Sequence, residues 1–252
     1  MGGPAVLALA LGGSLTAAAL VGPSATATVS ALSPETALSP AGSSAAPATW
    51  TDVPVLLVPG WLDTARDLAA LRIRFIAAGW SHVETLTFRD PAGSNREHAL
   101  EIDSVVTRML ADTGAEEIDI VAHSMGGLAT RWYLLTHDPA PVRRAAFLGS
   151  PHQGTLTAHL AWGAGGDEMT PGSDFLEALN EAPPVPEGVG AITVRTPIDT
   201  RVVPGESATL PGIQDHTVCC PTHVGLIRDD GVFRIVLDFL ERTAASTAGP
   251  GG

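Results

Sequence analysis

A serine stands where an apolar, β-branched run breaks off. In Glu117-Ile118-Asp119-Ile120-Val121-Ala122-His123-Ser124-Met125-Gly126-Gly127-Leu128 the run gives way to two glycines, with Leu128, Trp132 and Leu135 following at helical spacing. That pattern predicts a strand, a sharp turn at Ser124 and a helix. A serine on such a turn presents its hydroxyl to a base as a nucleophile. The turn needs positive φ and therefore small neighbours two places before and after, and Ala122 and Gly126 stand there. Met125 begins the helix, where free amide donors and the helix dipole favour a developing oxyanion. The chemistry expected of this stretch is acyl transfer through Ser124.

Such a serine needs an acid and a histidine, and with this elbow they follow in the order nucleophile, acid, histidine. His152 comes too early for that order and is expected to shape the rim of the site. Beyond Asp199 the histidines are His216 and His223. A strand expected over 217–219 puts His216 before it and His223 after it, and loops at the carboxyl ends of an open α/β sheet carry the site, which favours His223. Asp199 and Asp215 compete as the acid, Asp215 being expected at the wrong edge of the sheet. His123 adjoins the nucleophile but points elsewhere from its strand, as a structural neighbour.

The elements that must hold these residues alternate. An apolar strand over 53–58 ends in Pro59-Gly60-Trp61-Leu62-Asp63; a helix follows from Leu68 to Ile76, then a strand over 83–88 and a helix over 95–110 before the elbow strand. Another strand, 143–149, runs into Ser150-Pro151-His152-Gln153-Gly154-Thr155, and 191–195 resumes the sheet ahead of Asp199. A last helix carries Val232, Ile235, Val236, Phe239 and Leu240. Strand alternating with helix predicts an α/β fold with a doubly wound, mostly parallel sheet and helices on both faces. Between 156 and 190 the alternation lapses into a Gly- and Pro-rich excursion, read equally well as a cap or as a small sealing subdomain with Trp162, Met169, Phe175 and Leu176 inside.

Ala122-His123-Ser124-Met125-Gly126-Gly127 resembles the α/β-hydrolase elbow of small secreted bacterial triacylglycerol lipases, a subset of which carries Ala where the general pattern has Gly. The resemblance covers about Val53 to Leu240 and implies an α/β-hydrolase fold. It implies Asp199 as the triad acid, His223 as the base, and the backbone N–H groups of Trp61 and Met125 as the oxyanion hole. Leu62, His123, Trp162 and Val224 are the candidate substrate-binding residues. The implied activity is cleavage of carboxylic esters, with a triacylglycerol or similar lipid as substrate, met at a lipid–water interface. A short-chain esterase, polyesterase or acyltransferase on the same triad, and a non-catalytic hydrolase-fold binding protein, are the alternatives.

Composition limits the partners. The chain has 252 residues, 45% hydrophobic, and a formal charge of −13; its 14 basic residues are all Arg and are scattered. Without a basic stripe to neutralise phosphates, nucleic-acid binding is disfavoured, and no stable protein partner is evident. No Cys–His metal spacing and no calcium loop occurs, so neither metal nor cofactor is expected. The two cysteines, Cys219 and Cys220, are adjacent and either form a vicinal disulfide or stay as buried thiols. An apolar run from Ala5 to Leu20 precedes Ala25-Thr26-Ala27, an Ala-x-Ala cleavage site, although no Lys or Arg precedes the run. The domains expected are an export signal over 1–27, a Ser/Pro/Ala-rich linker or pro-segment over 28–50, the catalytic domain over 51–243 and a tail over 244–252. The protein is expected to be secreted.

Overall fold

The computed structural model describes residues 49–137 and 139–242; the expected export signal, most of the linker and the tail lie outside them. Six parallel strands form one sheet: β1 (Val55–Val58), β2 (Val83–Thr85), β3 (Ile118–His123), β4 (Val142–Leu148), β5 (Gly190–Arg195) and β6 (Gln214–Thr217). Their spatial order is β2-β1-β3-β4-β5-β6. The chain first winds outward from β1 to β2, then crosses back and winds the other way from β3. The direction reverses between β1 and β3, and the loops leaving their carboxyl ends face each other across the crevice where open α/β sheets bind ligands. Those loops begin at Pro59 and Ser124.

Alternation along the strands builds two cores. Val55, Leu57, Val121, Leu148 and Val194 pack under α1 (Ala69–Ala77) and α6 (Asp230–Glu241) through Phe75, Val236 and Leu240. Leu56, Val58, Ile120, Ala122 and Phe147 pack under α2 (Asn95–Thr113) and α3 (Gly126–Thr136) through Ile102, Val106 and Tyr133. Every residue of β1 and β3 is buried, as strands covered on both faces must be. At the open edge of β2, the Arg72 Nε–H donates to the outward carbonyl of Val83 at 2.8 Å.

The 156–190 excursion is a packed structure of short helices. A 3-10 turn (Leu156–Leu160), α4 (Gly163–Glu168) and α5 (Asp174–Glu181) bury Ala158, Met169, Phe175, Leu176 and Leu179 against Met125 and Leu128. Glu168 accepts hydrogen bonds from Ser94 Oγ (2.6 Å), Asn95 N (2.6 Å) and Asn95 Nδ2 (2.8 Å), so α4 caps the start of α2. The buried Arg131 of α3 donates to Asn180 Oδ1, Leu179 O and Pro184 O, tying α5 and the Pro-rich loop to the elbow helix.

Two expectations need correction. The strand after α1 stops at Thr85 instead of running to Phe88, although Leu86 N still reaches Leu57 O at 3.0 Å. The last strand is 214–217, not 217–219, so His216 lies within it, opposite Val194 in the register. As an edge strand β6 is half solvated, so no apolar run marks it.

Candidate active site

The elbow forms as its residue types require. Ser124 sits at φ 54°, its N–H donates to Leu148 O at 2.9 Å, and its carbonyl accepts from Gly127 N at 3.0 Å. A Cβ at Gly126 would strike the Pro59 carbonyl, and one at Gly60 would lie 2.8 Å from the Ser124 Cβ. The loops after β1 and β3 thus nest because glycine stands on both sides of the contact. Among the described residues only Ser124 and Leu62 (φ 59°) adopt positive φ without being glycine. Each such residue costs about 1–3 kcal/mol and persists only where its surroundings impose it.

His223 and Asp199 approach from the other side of the crevice. The loop after β5 carries Asp199, whose Oδ1 accepts the N–H groups of Arg201 and Val202, each at 2.8 Å. Its Oδ2 lies 2.8 Å from His223 Nδ1, with the two side chains 3% and 4% exposed. Burial pushes the Asp199 carboxyl up, but its His223 hydrogen bond, the His223 charge and the two backbone donors together hold it below the usual range. An ionised Asp199 fixes the hydrogen on Nδ1 and leaves Nε2 as the basic nitrogen. Burial lowers His223 below its ordinary value; Asp199 opposes this, while the charges of His123 and Arg201 add to it.

Ser124 and His223 face one cavity of about 220 Å³, with Trp61, Asp63, His123 and Val224 around them and Ala158, Leu160, Ala161 and Met169 of the excursion forming an apolar wall. Past Trp61, the N–H groups of Leu62 and Asp63 go to Pro91 O and Gly60 O. Past Met125, those of Gly127 and Leu128 turn back to Ser124 O and Met125 O. Among the described residues Trp61 and Met125 donate to no backbone acceptor, so two amides beside Ser124 remain for an oxygen of a ligand. The Trp61 ring meets Trp162 edge-on at 4.6 Å, and its Nε1–H donates to the Trp162 carbonyl. Among the described residues no group of three or more His, Cys, Asp or Glu is placed to hold a metal ion.

The sequence from 53 to 172 matches the family described as the alpha/beta hydrolase fold. The chain has the α/β-hydrolase fold. Among solved structures, this chain is similar to Aspergillus fumigatus lipase B, with a TM-score of 0.66 and 17% identity over 75% of this chain. It spans 52% of that protein's length. It is similar also to the mature Bacillus licheniformis lipase BlEst2 (TM-score 0.61, 15% identity, 75% of this chain and 91% of that one). Phospholipase PlaB from Legionella pneumophila resembles it as well (0.66, 15%, 75% and 59%).

The hydrolase fold brings together Ser124, Asp199, His223, Trp61, His123 and Val224. It does not bring in all the candidates. Leu62, turned by its positive φ, is 37% exposed and lies off the cavity wall, and Trp162, 62% exposed, packs edge-on against Trp61 instead of lining the cavity. His152 is not at the rim: it is fully buried, edge-on to Phe147, and burial together with the Arg131 charge keeps it neutral. Asp215 pairs with Arg195 Nε (2.9 Å) and Thr193 Oγ1 (2.8 Å), across β6 and β5. Cys219 and Cys220 form a vicinal disulfide on the surface and are not buried thiols. The sequence reading overlooked Asp63, although an acidic side chain closing the glycine turn after an apolar strand was a visible signal.

Proposed function

We propose that this chain is a secreted serine hydrolase of carboxylic esters, most directly of triacylglycerols, working through Ser124, His223 and Asp199. The observation that carries the reading is the buried 2.8 Å contact of His223 with Asp199 beside a serine held at φ 54°. His223 Nε2 takes the Ser124 proton as Oγ attacks the ester carbonyl, and Asp199 stabilises the imidazolium. The Trp61 and Met125 amides receive the oxyanion. The imidazolium returns its proton to the departing alcohol, leaving an acyl-serine, and water activated by the same imidazole releases the acid.

An apolar rim supports a lipid substrate: Leu156, Leu160 and Trp162 are 54%, 81% and 62% exposed beside the cavity mouth. The lipases and the phospholipase among the similar structures point the same way. The modest cavity of about 220 Å³ favours a second reading, an esterase for short acyl chains. Secretion rests on the apolar run and Ala-x-Ala site of the first 27 residues. The test is hydrolysis of p-nitrophenyl esters from acetate to palmitate by wild type and Ser124→Ala. Ser124-dependent activity strongest on long chains supports the lipase; a short-chain optimum supports the esterase; hydrolysis unaffected by Ser124→Ala overturns both.

A further inference from the structure

We propose that His123 and Asp63 form a second imidazole–carboxylate pair, which positions His223 from behind and cancels a negative charge on the cavity wall. This builds on the Ser124 hydrolase reading. His123, 1% exposed at the end of β3, places its ring centroid 4.8 Å from that of His223. Its Nδ1 lies 3.0 Å from Asp63 Oδ2 and its Nε2 3.3 Å from the His223 backbone carbonyl. Both neighbours accept hydrogen bonds, so filling both contacts takes a hydrogen on each ring nitrogen. The ring thereby links the loop after β1 to the backbone of the residue that serves as base.

The charge argument is independent of that linkage. Asp63 lines the cavity two residues after Trp61, its N–H tied to Gly60 O at 3.1 Å. Burial pushes the Asp63 carboxyl up, but the His123 hydrogen bond and charge, a Gly60 backbone bond and the His223 charge outweigh it and keep the group below the usual range. A bare carboxylate here would oppose an oxyanion beside the Trp61 and Met125 amides. It would also favour protonated His223, the wrong form for a base. The charged and titratable groups facing His223 are Asp199, His123, Arg201 and, across the same cavity, Asp63. Paired, Asp63 and His123 add no net charge to this set.

Removing the imidazole alone leaves one negative charge; removing both members leaves none. In His123→Gln the amide nitrogen takes the place of Nε2, and in His123→Asn that of Nδ1, so each keeps one contact without the charge. The experiment follows the His223 ring by NMR titration in the full chain, for wild type, His123→Gln and His123→Gln/Asp63→Asn. The rate of Ser124 labelling by a fluorophosphonate is measured against pH on the same samples. His123→Gln should raise the His223 midpoint by about one unit, move the acid limb of labelling with it and slow labelling about tenfold at pH 8. The double variant should return both midpoint and rate close to wild type. His123→Asn supplies the same readout should the Gln variant fail to fold. A midpoint unchanged in the single variant, or not restored in the double, overturns the pair; slower labelling with an unmoved midpoint is a merely structural effect and overturns it too. The NMR shift together with unlabelled wild-type Ser124 would sink the hydrolase reading while leaving the pair standing.

Discussion

At Ser124 the sequence specifies residue sizes, and the structure gives the reason. Gly126 is small because Val58 and Pro59 lie against the elbow, a close approach that the Ala-x-Ser-x-Gly pattern announces. Asp199 is different: nothing local in Thr196-Pro197-Ile198-Asp199 separates it from Asp215, and the distinction comes from which loop reaches His223. Asp199→Asn should therefore lower kcat by about 10⁴, since an amide no longer fixes the imidazole tautomer. Asp215→Asn, which removes only the Arg195 and Thr193 contacts, should leave kcat within about twofold. Equal losses in the two variants would refute the assignment. The pH profile follows from His223, whose folded value lies below the ordinary 6.5. The ring stays neutral, and competent as a base, as pH falls to 6.5, and is lost on protonation below that. The half-maximal point of kcat/KM on the acid side should thus fall below pH 6.5, and a midpoint above 7 would contradict the burial argument.

At the scale of elements, the strands and helices with continuous apolar patterns were legible, and those without were not. β1, β3 and β4 are largely buried, and the apolar runs Val55-Leu56-Leu57-Val58, Ile120-Val121-Ala122 and Ala145-Ala146-Phe147-Leu148 mark them. β6, with Gln, Asp, His and Thr at the sheet edge, has no such mark, and the strand expected from the sequence starts three residues past its true beginning. The 156–190 excursion was ambiguous because the same apolar side chains serve two ends. Ala158 and Met169 both line the cavity and join the buried cluster, while Phe175 and Leu179 only seal it. Its polar anchors were invisible to hydrophobic patterning, Glu168 reaching Asn95 across 73 positions. Glu168→Gln keeps an acceptor but removes the charge at the α2 N-terminus, at a cost of about 1 kcal/mol. Thermal unfolding should show Tm lower by about 2–4 °C, and an unchanged Tm would mean that α4 does not support α2.

For the whole molecule, a formal charge of −13 goes with an exposed apolar rim beside the cavity. Leu160 is the most exposed of the rim residues and sits where the cavity opens. Leu160→Asp should reduce turnover of emulsified long-chain esters at least about threefold while leaving soluble p-nitrophenyl acetate nearly unaffected, a contrast expected if the rim meets a lipid surface. Equal effects on both substrates would confine Leu160 to the wall. The doubly wound sheet also leaves an edge open at β2, where one guanidinium occupies the outward carbonyl of Val83. That bond removes an acceptor another strand would otherwise recruit, so Arg72 guards against edge-to-edge aggregation. Arg72→Ala should scatter more light on concentration or mild heating while its initial turnover stays unchanged; clear solutions under the same conditions would show the edge to be protected by its shortness alone.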